Sequence, residues 1–163
     1  MSQLLATIEI NGLRLPASLG AALHDGRWRR PSDARLERVF RERPSALVMF
    51  DLPTMRRVNR RWREETNPAF FGHPDDRAPP GDICPGRSLW LGLLGPDTPF
   101  ALDYRQDIAA PAVVSLHSGG DRWITVAADV ERLLARLGLD RAASARAPRK
   151  TSPMRAPHGA DET

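Results

Sequence analysis

Four groups of residues in this chain are of types that do chemistry. His73-Pro74-Asp75-Asp76 sets an imidazole beside two carboxylates, donors that a divalent cation takes, on a backbone that Pro74 stiffens. Asp97, Asp103 and Asp107 are closely spaced carboxylates, and such groups could share general acid and base work. His117-Ser118-Gly119-Gly120 has the composition of an anion-binding nest. Arg56, Arg57, Arg60, Arg61 and Arg63 form a basic run that could sit on nucleic acid, with Trp62 beside it to stack on a base.

Each group also has a plainer reading. A Pro- and Asp-rich surface loop often resembles a cation site. The glycines after His117 suit a hairpin turn that needs positive φ. Asp103 precedes Tyr104 and Arg105 at the end of an apolar run, where an Asp–Arg pair is structural or interfacial. The arginines fall on the solvent side of a helix whose inward positions are Met55, Val58 and Trp62. No helix-turn-helix, zinc-finger or RNP pattern surrounds them, so nucleic acid is not the expected partner. No Gly-x-Ser-x-Gly elbow, P-loop or Gly-x-Gly-x-x-Gly occurs, and His24, His73, His117 and His158 stand far apart. The expectation is a protein that is not an enzyme and takes no metal or cofactor.

Composition narrows the class. The 163 residues suit one domain able to bury a core. No apolar run approaches the ~20 residues that span a bilayer. The first ten residues lack a basic region and contain Glu9, unlike a secretory leader, so the cytoplasm is the expected compartment. Cys84 is the one cysteine, which leaves no intrachain disulfide, and its Gly/Pro-rich surroundings suit a small apolar filler. Net charge is +4, but it is unevenly spread: residues 1–63 hold 13 arginines against 6 acids, whereas residues 64–111 hold 3 against 8. Such polarity can steer a charged partner.

The elements that must position these groups follow from pattern. Thr7 to Leu15 alternates around Asn11-Gly12 as a short hairpin does. Pro16 opens a helix with Leu19, Ala22 and Leu23 on one face, closed by Gly26. Ser32 caps a second helix carrying Leu36, Val39 and Phe40. Ala46-Leu47-Val48-Met49-Phe50 predicts a buried strand, and Asp51 caps the arginine-bearing helix. Asn67 to Pro85 is a long Pro/Gly/Asp loop, of a length that is functional or mobile. Ser88–Leu94, Thr98–Arg105, Pro111–Leu116 and a fourth strand ending at Trp123–Val126 have short connections, which forces antiparallel pairing. A helix over Ala127–Leu137 with Val130, Leu133, Leu134 and Leu137 in one stripe ends at Gly138. The result is an α+β fold, a mainly antiparallel sheet with helices on one face, over residues 1–139. Residues 140–163 are rich in Ala, Arg, Pro and Ser and are expected to be disordered.

Several pieces, in their order, resemble the SUKH superfamily, the Smi/Knr-like domains. They are Gly12-Leu13-Arg14-Leu15-Pro16 before a short helix, and Leu91-Gly92 leading through Gly95 to Pro99-Phe100-Ala101-Leu102-Asp103-Tyr104-Arg105. Pro111 to Val114, Trp123-Ile124-Thr125-Val126-Ala127 and the leucine-rich last helix complete the set. Two details depart from the pattern: the last helix lacks aromatics, and the 67–85 loop matches no family motif. The resemblance implies a protein-binding module, a bacterial immunity protein that neutralises a cognate secreted toxin. A regulatory scaffold similar to fungal cell-wall assembly regulators is the alternative it leaves open. Asp75, Asp76, Asp97, Asp103, Tyr104 and Arg105 are the expected contacts to a basic partner, because they lie in the acidic segment and hot spots favour Tyr and Arg. Trp90 and Trp123 are read as large apolar anchors of the sheet.

Overall fold

Asn11 and Gly12 both hold positive φ, 53° and 78°, the geometry that turns a two-residue hairpin with the natural strand twist. They join β1 (Glu9–Ile10) to β2 (Leu13–Arg14), as the Asn-Gly pair predicts. This computed structural model describes residues 6–65, 67–117, 119 and 122–141. Beyond Asp140 and Arg141, the tail expected to be disordered lies outside the described residues.

Pro16 lacks an N–H and precedes α1 (Ala17–His24), where the first helical amides have no intrahelical partner anyway. Ser32 caps α2 (Asp33–Phe40) by accepting from Arg35 N, and Leu36, Val39 and Phe40 are its buried stripe. Asp51 accepts from Thr54 N at 2.9 Å and opens the helix α3 (Leu52–Glu65). A hydrogen bond from the Thr54 side chain, then that backbone bond, with Arg57 nearby, hold the Asp51 carboxyl below the usual carboxylate range.

The apolar run before α3 is a correction. Only Val48–Met49 pairs, as β3, and Val48 is 46 % exposed. It forms one edge of the sheet rather than a buried strand; Leu47 and Met49 are partly buried against the core, and Phe50 is buried, its carbonyl accepting from the Trp28 indole at 3.1 Å.

Four further strands follow: β4 (Ser88–Leu93), β5 (Pro99–Asp103), β6 (Ala112–Leu116) and β7 (Trp123–Ala127). The sheet is antiparallel throughout in the order β3-β4-β5-β6-β7. Ala127 still belongs to β7, and Asp129 caps α4 (Val130–Leu137), so the last helix starts later than its apolar pattern suggests. α2 and α4 pack on one sheet face, with α1 against α4. Phe40 of α2 meets Phe100 of β5 at a centroid distance of 5.1 Å, which identifies the helix-facing side.

Side chains alternate along a strand, so Ala101, and with it Trp90 across the ladder, must face away from α2 and α4; Trp90 meets Trp62 of α3 instead, so the helices do not all share the one face that the sequence predicts. There the long loop does its packing. Phe70 lies 5.1 Å from Trp90, the Trp123 indole donates to Phe70 O at 2.8 Å, and Ile83 is wholly buried. Residues 67–85 therefore form a second layer over the sheet and not a free loop, because Phe70, Phe71 and Ile83 pack against or within the core.

Helix α3 runs beside β4. A bulge at Leu91 breaks the β4–β5 register, with Trp90 opposite Ala101 and Gly92 opposite Phe100. Beyond the short β3, the amide of Asn59 takes the place of a neighbouring strand: its Oδ1 accepts from Trp90 N and its Nδ2 donates to Trp90 O.

Candidate functional site

The expected contact residues at the end of β5 and just beyond it are tied into the fold. Tyr104 is 3 % exposed, and its hydroxyl donates to Arg14 O of the hairpin at 2.8 Å. Burial pushes that hydroxyl's pKa well above its ordinary value. Asp103 and Arg105 form a mostly buried pair, Nη2 to Oδ2 at 2.9 Å and Nε to Oδ1 at 3.1 Å. The remaining donors of Arg105 reach Gly81 O at 3.0 Å and Asp82 O. A planar five-donor guanidinium can bridge a carboxylate and two carbonyls at once. Arg105 thus clasps the start of the β5–β6 loop to the covering layer.

Asp82 works from the other side of that clasp. Its Oδ2 accepts from His73 N at 3.1 Å and from Trp123 N at 3.2 Å, and its Oδ1 lies 3.7 Å from Arg122 Nη2. One carboxylate so anchors the layer to the free edge of β7. It also bonds the first amide of an edge strand that would otherwise be open to pairing. Sequence reading passed over Asp82, which looked like one acid among many in a loop.

Asp75, Asp76 and Asp97 are exposed. Asp75 Oδ1 accepts from Arg77 N at 2.9 Å and so stiffens its own turn. Asp97 lies in the β4–β5 turn, in a shallow groove with Glu42 and Arg43. The six expected residues do not converge: Asp97 and Asp103 lie at opposite ends of β5, about 20 Å apart at ~3.3 Å per residue. The structure brings together Asp103, Arg105 and, through the layer, the loop that carries Asp75 and Asp76.

The groups considered for catalysis and metal binding are likewise dispersed. Among the described residues no three His, Cys, Asp or Glu side chains are grouped to hold a metal ion. Asp107 Oδ1 accepts from Ala109 N and Ala110 N at 2.9 and 3.0 Å, a turn-forming role. The His117 turn lies partly outside the described residues; His117 N donates to Arg122 O at 3.0 Å, as a hairpin requires. Cys84 is half-buried, and its carbonyl accepts from Ser88 Oγ at 2.7 Å.

On α3, Arg56, Arg57, Arg60, Arg61 and Arg63 all face solvent. Arg61 pairs with Glu65 at 3.1 Å, and Arg63 donates to Asn11 O at 3.0 Å. Trp62 is 5 % exposed, its indole donates to Ser88 Oγ at 2.9 Å, and its ring lies 4.8 Å from Trp90. It belongs to the core and is not displayed for stacking on a base. No helix among the described residues is long and apolar enough to cross a membrane.

Two features went unseen in the sequence. Asn59 sits four residues after Met55 and three before Trp62, on the core stripe, and a polar residue there was the available signal. Ile108 is 71 % exposed at the tip of the β5–β6 loop. No protein-family model matches the chain, nor does any curated protein or solved structure.

Proposed function

We propose that this chain is a protein-binding module, an immunity protein that neutralises a cognate secreted toxin by direct binding. The observation that carries this reading is the order of elements. A Pro16-led helix follows a tight hairpin, and a four-strand meander with a bulge at Leu91 is closed by a capped, leucine-rich helix. These elements carry the sequence segments on which the SUKH resemblance rests, and they assemble into one α+β unit. The chemistry of the surface fits such a role. Asp103, Tyr104 and Arg105 are used internally, where they fix loops in shape, while Asp75, Asp76 and Asp97 present carboxylates to solvent. Fixed loops lose little entropy on association, which favours tight binding. Carboxylates speed encounter with a basic partner such as a nuclease. The complex would bury ~1,600 Å² of surface in total, covering the toxin's active site or the surface beside it.

The test is capture of partners by the tagged full chain from the native organism's lysate. One stoichiometric partner that kills cells when expressed alone, and is tolerated when this chain is co-expressed, is the expected result. Several substoichiometric partners without toxicity would overturn the immunity reading in favour of a regulatory scaffold.

A further inference from the structure

Helix α3 holds five arginines on its solvent side within the eight residues from Arg56 to Arg63. The fold answers only two of them: Arg61 pairs with Glu65 at 3.1 Å, and Arg63 donates to Asn11 O at 3.0 Å. Arg56 and Arg60 make no ion pair or side-chain hydrogen bond among the described residues, and Arg57 meets only the through-space field of Asp51. Side chains three and four apart are neighbours on a helix. Arg56–Arg60, Arg57–Arg60, Arg57–Arg61 and Arg60–Arg63 are therefore like-charge contacts, each slightly destabilising. The acids of this helix stand at its ends. Asp51 caps the first turn and is engaged by Thr54, Glu65 is taken by Arg61, and Glu64 is exposed in the last turn. In the adjoining hairpin Glu9 and Arg14 lie opposite each other and offset one another. The stretch between those ends is an uncompensated cationic surface.

We propose that this face binds the phosphate backbone of double-stranded nucleic acid. The lack of a base-reading motif argues against sequence-specific binding, and backbone contact needs no such motif. Asn59, which could bond an adenine edge, and Trp62, which could stack on a base, are both buried. Their polar atoms serve Met55, Trp90 and Ser88. What remains outside is guanidinium, a planar fork that takes phosphate oxygens two at a time. With no exposed ring to stack on, a single strand gains nothing here beyond charge, and a duplex offers phosphates at twice the density. A protein partner would need an apolar or aromatic centre, and the exposed large apolar side chains, Val48 and Ile108, lie off this helix. A membrane surface would need the helix's apolar face, which Met55 and Trp62 commit to the core. Asn59 keys α3 to β4 and Arg63 ties it to the hairpin, so the arginines stand on a fixed support. This inference does not depend on the protein-binding reading, whose carboxylates lie on other segments.

The experiment is fluorescence anisotropy of a labelled, mixed-sequence DNA duplex titrated with the full-length chain. With three phosphates neutralised, affinity is expected to fall about 40-fold between about 50 and 200 mM salt. The triple variant Arg56→Gln, Arg57→Gln, Arg60→Gln is expected to bind at least about tenfold more weakly at the lower salt. Its control is the triple Arg29→Gln, Arg38→Gln, Arg77→Gln, which removes the same charge from exposed positions elsewhere and should bind as wild type does. All six side chains are exposed, and thermal melts check that both variants are folded. No binding of the duplex by wild type overturns the inference. Equal loss in both triples also overturns it, because net charge and not this face would then be responsible. Tighter binding of a single strand, or equal binding of poly-glutamate or of phosphatidylserine vesicles, overturns it in favour of that other polyanion. Each of these failures leaves the protein-binding reading untouched.

Discussion

Asn59 and Trp90 are joined by two hydrogen bonds that do the work of an absent strand, Oδ1 to Trp90 N at 2.7 Å and Nδ2 to Trp90 O at 2.9 Å. The same Nδ2 also donates to Met55 O at 2.8 Å, so the fully buried amide is satisfied within its own helix as well. Helix and sheet are thereby keyed at one point, and packing alone would not fix their relative height. Replacing Asn59 with Leu leaves the N–H and C=O of Trp90 buried without partners. The expected cost is about 2–6 kcal/mol, from two unsatisfied groups at ~1–3 kcal/mol each. Urea denaturation measures it, and a midpoint within error of wild type would show that the amide is dispensable.

Tyr104 makes stability fall at high pH. Its folded pKa is raised by burial, so the native state favours the protonated phenol. That contribution is complete below the unfolded value of about 10 and is lost as pH rises toward the folded one. It is the one tyrosine in the chain, so its absorbance titration reports a single group. Tyr104→Phe gives up a hydrogen bond worth about 1 kcal/mol at neutral pH. In exchange the variant loses less stability than wild type above about pH 10. Parallel thermal melts from pH 8 to 11 check the sign, and identical slopes would contradict it.

Arg105→Met removes the clasp between the β5–β6 loop and the covering layer. Destabilisation of about 2 kcal/mol is expected, in line with charge-assisted hydrogen bonds lost from a partly buried site. Cleavage within 73–82 under limited proteolysis should rise with it. Arg105→Lys is not expected to restore protection, since a point ammonium cannot serve Asp103, Gly81 and Asp82 from one plane. Full protection with lysine would reduce the clasp to simple charge.

Trp123→Ala is expected to cost ~3–5 kcal/mol, the range for a large buried aromatic. The ring is 8 % exposed, and its indole N–H holds Phe70 O, so the layer loses an attachment along with its packing. Trp123→Phe separates the two, because it keeps most of the apolar contact and removes the hydrogen bond. Fluorescence-monitored unfolding would resolve the series, and equal loss from both variants would assign the effect to the hydrogen bond alone.

Local chemistry was legible wherever a residue acts on its own neighbours. Asn11-Gly12 turned the hairpin, Ser32 and Asp51 capped their helices, and the leucines of α4 faced inward as their spacing requires. The run 46–50 misled because an apolar string has the same composition at a sheet's edge as at its centre, and edge position is set by distant pairing. The same limit hid the roles of Asp82 and Asn59, whose partners lie 41 and 31 residues away. Of the residues chosen as contacts, Asp103, Tyr104 and Arg105 were noticed for their types. Type does not reveal direction; Tyr104 points to the hairpin 90 residues upstream.

Residues 67–85 have the composition of a splice point yet serve as a layer. Insertions and deletions accumulate where a chain owes nothing to packing, and a designer reading composition would cut here first. Shortening this stretch would uncover Trp90 and Trp123 together and create an apolar surface prone to self-association. The tolerant seam is the β4–β5 turn at Pro96-Asp97, which is exposed and outside the core. Grafted sequence, a reporter or an added recognition loop belongs there, at the end of β5 remote from the Arg105 clasp.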